Sequence, residues 1–231
     1  MTRDAINTAN LIQGISSDRL QPYRLQSGTE QDALKLYKHN ILLSEALYPS
    51  LHMLEVVLRN NLERVLIQEF GPTWYQLSRF TYLLVRENGQ LTVEGKQLRR
   101  AINELAKARK PLVSGRVVAE LNFSFWTRLL GRSYENYIWR PYNRIIFPDA
   151  RASDREIRQI RDDLTSIRFL RNRVAHHEPI WNDPQLQSKH AAITRLLSWL
   201  NADAATYLGR CDRFSEVHKR VGVGSNHRDL N

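Results

Sequence analysis

A short segment in the C-terminal third of the chain concentrates side chains suited to acid-base chemistry. It reads Arg-Asn-Arg-Val-Ala-His-His-Glu-Pro-Ile-Trp over residues 171–181. A histidine can accept or donate a proton near neutral pH, and an arginine can stabilise negative charge on a reacting phosphate. Arg171 and His176 could therefore supply the groups that cleavage of an RNA phosphodiester requires without a metal ion. H-E-x-x-H zinc chemistry is not expected, because His177-Glu178 is followed by Pro179, which ends the helix.

The sequence places this segment at the end of a long helix. Ser153-Asp154-Arg155-Glu156 has the pattern of a capping box, and it predicts a helix from Ser153 to Glu178. Apolar residues then recur at steps of three and four, at positions 157, 160, 164, 167 and 174. Arg171 falls in this apolar phase. We therefore expect its stem to pack while its head reaches solvent, or its guanidinium to meet an ion pair, an interface or a bound anion.

Helix geometry separates the candidate groups. On an ideal helix Asn172 and His176 are four residues apart and share a face, whereas Arg171 and His176 point about 140° apart around the axis. A single copy of this helix is therefore not expected to direct both Arg171 and His176 at one phosphate.

The rest of the chain also favours helices. It contains only 10 Gly and 8 Pro among 231 residues, and 42% of its residues are apolar, enough for a buried core. We predict an irregular lead-in over 1–28, a single helical domain over 29–210 and a basic tail over 211–231. Thr29 is expected to cap the first helix, and Pro49 to separate it from the second. Residues 72–92 fit a loop, a hairpin or a bent helix.

Charge and cysteine content restrict the partners and the compartment. The formal net charge is +10, which favours a polyanion such as nucleic acid as the partner. Four arginines on the long helix are expected to contact RNA phosphates, with a solvated helix face as the alternative: Arg158, Arg161, Arg168 and Arg173. One cysteine excludes an internal disulfide framework, and neither a signal peptide nor a membrane span is expected. We therefore predict a cytoplasmic protein with no membrane contact.

Three motifs carry a resemblance to a known family. Arg171, Asn172 and His176 are similar to the R-x4-6-H signature of HEPN domains, and residues 171–181 resemble the version in Abi-like (abortive infection) proteins. Residues 54–61, with Glu55, Arg59 and Asn60, resemble the Glu-x3-Arg-Asn helix of that family. Residues 121–126 resemble its Phe-Gly-Phe-Trp segment, with Ser124 in place of Gly. The resemblance extends over about residues 37–200.

The resemblance implies an all-α, HEPN-like helical bundle with additional helices, which forms a homodimer. In the dimer two copies of the long helix would pool their Arg and His residues in one cleft. It further implies metal-independent RNA cleavage without a cofactor, with tRNA one candidate substrate, and a toxin function with an antitoxin protein or RNA as a possible partner. Arg171 would stabilise the phosphate, His176 would act as acid or base, and Asn172 would position one of them or the scissile group. The supporting residues would be His177, Glu55 and Arg59.

Two alternatives remain at this stage. The chain could be a HEPN module that binds nucleic acid or a partner protein without cleaving, or a helical scaffold in which Arg171 is buried against Glu55. Glu55 and Arg59 could form an i,i+4 salt bridge, or could instead orient Arg171 or Asn172. Trp126 and Trp181 are expected in the core rather than on a base-stacking surface.

Overall fold

The computed structural model describes residues 6–76 and 79–222, and this part of the chain is an all-α bundle. Its helices are α1 (Thr8–Ile15), α2 (Ser17–Arg24), α3 (Glu30–Phe70), α4 (Arg79–Leu83), α5 (Val93–Lys107), α6 (Ser114–Glu120), α7 (Phe123–Leu129), α8 (Arg140–Ile146), α9 (Ile157–Ala175), α10 (Leu186–Leu200), α11 (Ala202–Leu208) and α12 (Phe214–Gly222). Short 3-10 turns lie at Arg132–Tyr134 and Ala152–Asp154, and a π-helical turn at Glu135–Trp139.

Helix α3 is the central element of the bundle. The prediction of two helices separated at Pro49 is wrong, because α3 runs through Pro49 as one helix of 41 residues. Leu47 and Leu51, on either side of the proline, are both buried in the same core. A proline inside a helix costs about 3 kcal/mol, and burial of each leucine contributes roughly 1.5–3 kcal/mol, so packing on both sides outweighs the lost hydrogen bond. Thr29 caps α3 as predicted, since its Oγ1 accepts from the Asp32 N–H at 3.1 Å.

The core forms where α3 meets α7, α8 and α10, and α9 packs on α7 and α10. Phe125 and Trp126 from α7 are fully buried, and their rings pack edge to face with centroids 5.0 Å apart. The expectation that Trp126 is a core residue is confirmed. Ser124, which replaces a glycine of the family pattern, accepts from Gln97 Nε2 at 2.8 Å and donates to Asn122 Oδ1 at 2.7 Å.

The N-terminal segment differs from the irregular lead-in that was predicted for residues 1–28. Helices α1 and α2 occupy most of it, and α2 packs on α3 through a second cluster of Leu20, Tyr23 and Ala33. Helices of eight residues have little stability of their own and form because tertiary packing stabilises them. A helix of eight residues contains too few apolar repeats to be predicted from the periodicity of the sequence.

Two other segments are now defined. Residues 72–92 contain α4 and a turn closed by an isolated antiparallel bridge between Val85 and Leu91, with residues 77–78 outside the described part. The predicted tail over 211–231 contains α12, whose Phe214 is buried against the core. Residues 223–231 of that tail lie outside the described residues.

Helix α3 is also long and apolar enough to cross a membrane by length and composition. This is weak support for a membrane span, because the core helix of a soluble protein passes the same test. Leu54, Leu58 and Leu62 of α3 are fully buried inside the bundle, so packing in the core accounts for the apolar residues of this helix.

Candidate active site

The helix that carries the candidate motif is shorter at both ends than predicted. Helix α9 begins at Ile157, because Ser153 belongs to a 3-10 turn and its Oγ donates to Asp154 Oδ1 at 3.3 Å. The predicted capping box is therefore wrong, and Glu156 occupies the N-cap position without a side-chain bond. The helix ends at Ala175, so His176 and His177 follow it rather than form its last turn.

A Schellman motif terminates α9. The Glu178 N–H donates to the Arg173 carbonyl at 2.8 Å, and the His177 N–H donates to the Val174 carbonyl at 3.1 Å. His177 adopts the left-handed conformation, with φ 57°, that this motif requires at the position after the C-cap. Histidine is one of the non-glycine residues enriched in that region. The motif turns the chain away from the helix before Pro179, which places the two histidines at the turn.

The side chain of Asn40 in α3 forms hydrogen bonds with the backbone of residues 178–181, which follow the turn. This side chain is 3% exposed, and its Oδ1 accepts from the N–H groups of Ile180 at 2.6 Å and Trp181 at 3.2 Å. Its Nδ2 donates to the Glu178 carbonyl at 3.3 Å. One buried amide therefore satisfies three backbone groups that have no helical partner.

Two arginines also donate hydrogen bonds to the backbone of the turn. Arg19 of α2 donates to the carbonyl oxygens of His176 at 3.4 Å and His177 at 2.9 Å. Arg173 donates to the Pro179 carbonyl and pairs with Asp183 at 3.7 Å. Arg173, which was predicted to contact RNA, is thus already engaged with the protein backbone and a carboxylate.

Arg171 forms an ion pair with the upstream motif. Its Nε lies 3.4 Å from Glu55 Oε2, and the side chains are 34% and 20% exposed. The pair joins α9 to α3, as in the scaffold alternative, but Arg171 is not buried as that alternative requires. No Glu55–Arg59 salt bridge is found among the described residues, and the buried Arg59 Nε has no hydrogen-bond partner there.

The remaining motif side chains are free. Asn172, His176 and His177 are exposed, and within residues 6–76 and 79–222 their side chains make no hydrogen bond or ion pair. No such contact joins Arg171 to His176 in that part of the chain either. One copy of the site therefore holds Arg171 against α3 and leaves Asn172 and the two histidines facing outward.

The other predicted RNA contacts on α9 divide into two kinds. Arg158 is exposed. Arg161 is 17% exposed and donates to the Leu130 carbonyl at 2.6 Å and to Glu135 at 2.7 Å. Arg168 lines a cavity beside α9. Arg161 therefore has a structural role, whereas Arg158 and Arg168 remain available to a ligand.

Sequence reasoning missed Asn40 and Arg19. Asn40 lies three residues before Leu43 and seven before Leu47, in the buried phase of α3, so a polar residue in an apolar stripe was the available signal. Arg19 offered no such signal, because its role depends on how α2 docks beside the end of α9.

Across the described ranges, no group of three or more His, Cys, Asp or Glu side chains is arranged to hold a metal ion. The fold and the site together define an all-α protein. Its exposed Asn-His motif lies at the C-terminal end of a helix whose following turn is fixed by side-chain hydrogen bonds.

The comparison with protein families identifies the chain more closely. The family model for Abi-like proteins matches residues 13–182, which include α2, α3 and the whole candidate site. The match covers more than half of the chain, and the protein belongs to the Abi-like family. Membership suggests a function in abortive infection, that is, in defence. No curated protein and no solved structure matches the chain.

Proposed function

We propose that the protein is a metal-independent HEPN-type endoribonuclease that acts as a toxin, in antiphage abortive infection or in a toxin–antitoxin pair. The observation that carries the proposal is the contrast at the end of α9 between its backbone and its side chains. The backbone of residues 176–181 is bonded by Arg19, Asn40 and Arg173, while the exposed side chains of Asn172, His176 and His177 have no hydrogen bond or ion pair to any described residue. The bonded backbone fixes where these side chains start, and their polar atoms are open to a substrate.

The proposed reaction needs two proton transfers. A base removes the proton of the RNA 2′-OH, whose oxygen then attacks the adjacent phosphorus. The bond from phosphorus to the 5′ oxygen breaks, an acid protonates that oxygen, and a 2′,3′-cyclic phosphate remains. His176 fits one of the two proton-transfer roles, Arg171 would stabilise the charge on the phosphate, and Asn172 would orient the reacting groups.

A homodimer through α9 would supply the second set of groups. Arg171 faces α3 while Asn172 and His176 face outward, so two copies placed with their α9 helices together would pool more groups in one cleft. Phe169, on α9 one turn before this site, is 59% exposed. Aromatic side chains are enriched in interfaces, and the Phe169 ring is available to a contact between two α9 helices. The cytoplasm is the proposed location, with RNA as substrate and an antitoxin protein or RNA as a further partner.

One observation favours a second candidate function. Arg171 is already paired with Glu55, and an ion pair that joins α9 to α3 accounts for this arginine without any role in chemistry. The second candidate is therefore a HEPN module that binds nucleic acid or a partner protein without cleaving it.

The deciding experiment is an RNA cleavage assay in EDTA, with total tRNA and single-stranded RNA as substrates. We expect the wild-type protein to cleave, and His176→Ala to lower the rate by roughly 10²-fold or more without changing RNA affinity. His177→Asn is the matched control, because asparagine tolerates the left-handed backbone of this position, and it should have a milder effect. Cleavage that disappears in EDTA and returns with Mg²⁺ would contradict the mechanism. A wild-type protein that binds RNA and never cleaves it would support the second candidate.

Light scattering tests the dimer. Phe169→Glu should convert a dimer into a monomer and remove cleavage together with it. Tyr207→Glu is the control, because Tyr207 is also largely exposed but lies on α11. A monomeric wild-type protein with full activity would show that one copy is sufficient.

A further inference from the structure

A cavity of about 440 Å³ lies beside α9. Its nearest α9 residue, Arg168, precedes Asn172 of the candidate active site by about one helical turn. The start of α5, helix α7, the residues around Tyr134 and one face of α9 line the cavity. Arginines dominate the lining: Arg86, Arg128, Arg161 and Arg168. The only carboxylate among the described lining residues is that of Glu94.

The positive charges in this cavity are incompletely paired. Arg161 is bonded to Glu135, outside the lining, and Arg128 lies 3.7 Å from Glu94. Glu94 is 6% exposed and also accepts from the Tyr134 hydroxyl at 2.9 Å, so its capacity is largely used. Within the described part of the chain, the side chains of Arg86 and Arg168 have no hydrogen bond or ion pair. The guanidinium carbon of Arg168 lies 5.4 Å from the ring centroid of its neighbour Phe169.

The cavity therefore holds more positive charge than the protein itself neutralises. Burial, together with the charge of Arg128, lowers the pKa of Arg168, although the charge of Glu94 acts in the opposite direction. Crowded guanidinium groups of this kind are stabilised by an anion, and planar arginines suit the oxygens of a phosphate. The hydroxyl of Thr165 also lines the cavity, and the N-terminus of the 15-residue helix α5 lies at its edge. Both features favour a negatively charged ligand.

The cavity and the motif share one face of α9. Arg161, Thr165 and Arg168 follow each other at steps of four and three, and Asn172 is four residues further on. On an ideal helix this places all four in one stripe, with Asn172 about 6 Å beyond Arg168 along the axis. Consecutive phosphates of a nucleic-acid strand are separated by a comparable distance. A strand that reaches Asn172 and His176 would thus meet Arg168 within one or two nucleotides.

We propose that this arginine cavity binds backbone phosphates of an RNA strand whose neighbouring phosphate lies at Asn172 and His176. The residues that line the cavity support the binding of RNA phosphates there. The placement of the adjoining phosphate as the one that is cleaved rests on the function proposed above.

The test measures the affinity of a short fluorescein-labelled single-stranded RNA by anisotropy. All variants carry His176→Ala so that the RNA stays intact. Arg168→Gln and Arg86→Gln should each weaken binding by roughly tenfold at low salt, and each should reduce the slope of log affinity against log salt by about 0.7. Arg210→Gln is the matched control, since Arg210 is exposed, unpaired among the described residues and outside the cavity. It should leave affinity and slope nearly unchanged.

Thermal unfolding separates a binding role from a structural one. Because Arg168 has no hydrogen bond or ion pair among the described residues, Arg168→Gln should leave the melting temperature unchanged or raise it. Inorganic pyrophosphate should raise the melting temperature of the parent protein more than that of Arg168→Gln. A lowered melting temperature for Arg168→Gln would assign the residue to the fold and overturn the inference.

A third measurement distinguishes RNA from a free nucleotide. If ATP binds the parent protein and Arg168→Gln abolishes this binding while RNA affinity is unaffected, the cavity is a mononucleotide site and the inference is wrong. Unchanged affinity for RNA, ATP and pyrophosphate in both variants would also overturn it. If the protein with His176 intact never cleaves RNA, but Arg168→Gln and Arg86→Gln weaken RNA binding, the nuclease proposal fails and the cavity inference stands.

Discussion

Two regions of helix α9 differ in how completely their polar side chains and backbone groups are paired. At its C-terminal end, buried polar groups are matched: Asn40 bonds three backbone groups of residues 178–181, and Arg19 bonds two carbonyls of the turn. Nearer the middle of α9, Arg168 lines a cavity together with Arg86, Arg128 and Arg161, and Glu94 is the only carboxylate among the described lining residues. The polar groups of the first region are paired within the chain. In the second region, Arg86 and Arg168 have no hydrogen bond or ion pair among the described residues, and the proposed phosphate would pair them.

This difference shows how burial and pairing together identify functional residues. A side chain whose loss leaves backbone groups unsatisfied stabilises the fold, and its variants should lose stability first. A charged side chain without a partner contributes little or negatively to folding, and its variants should lose ligand affinity first. Stability and affinity should therefore respond to different substitutions in the two regions.

The largest effect is expected at Asn40. Asn40→Ala leaves the N–H groups of Ile180 and Trp181 and the Glu178 carbonyl without their partner, so we expect a loss of about 2–4 kcal/mol in unfolding free energy. Urea denaturation measures this loss. Asn143→Ala is the control, because Asn143 makes only a local bond to the Arg140 carbonyl, and its loss should stay within about 0.5 kcal/mol. Equal losses in the two variants would show that the turn is not held by Asn40.

The cavity offers an internal comparison between a paired and an unpaired arginine. Arg161 bonds Leu130 and Glu135, and its hydrogen bond lowers the pKa of Glu135. Arg161→Gln should lower the melting temperature, whereas Arg168→Gln should not, because Arg168 has no such partner. Parallel thermal scans of the two variants in low salt measure the difference. A drop of the same size in both would remove the distinction between the two arginines.

A smaller effect is expected at Glu55, which holds Arg171. Both side chains are partly exposed, so Glu55→Gln should change stability by only about 0.5 kcal/mol. If the pair positions Arg171 for the phosphate, the same change should lower the cleavage rate several-fold, mainly through kcat rather than KM. Glu104→Gln removes the carboxylate of an exposed ion pair on α5 and is the control. An unchanged cleavage rate in Glu55→Gln would make the pair purely structural.

The smallest expected effect is a pH dependence at the held end of α9. Burial acts to raise the pKa of Asp183, but hydrogen bonds from Lys189 Nζ and the Gln185 N–H outweigh it, so the pKa lies below its ordinary value of 3.8. A lowered carboxyl pKa contributes stability that is present above the unfolded pKa and is lost as the pH falls through the folded pKa. Asp183→Asn should therefore be less stable than wild type at pH 7, and the difference should shrink below about pH 4. Urea denaturation at both pH values measures it, with the exposed Asp203→Asn, which should show no such dependence, as the control.

Much of the fold and part of the site could be predicted from the sequence. The all-α class followed from few Gly and Pro and from the apolar repeats, and the Abi-like family from the motifs at residues 54–61 and 171–181. The assignment of Arg171, Asn172 and His176 to catalysis stays a prediction. The helix boundaries were less accurate, since Pro49 did not break α3 and the Ser153 capping box did not form.

What the sequence determined by itself is local: which residues repeat at helical spacing, and which side chains capable of acid-base chemistry follow one another. Periodicity and residue type depend only on neighbours along the chain. The tertiary structure decided that Glu55 meets Arg171 rather than Arg59, that Asn40 and Arg19 hold the turn, and that Arg168 lies in a cavity with Arg128. These contacts join positions that are far apart in sequence. They arise because burying the apolar faces of α2, α3, α7 and α9 brings those helices together, and the polar groups must then find partners across the contacts.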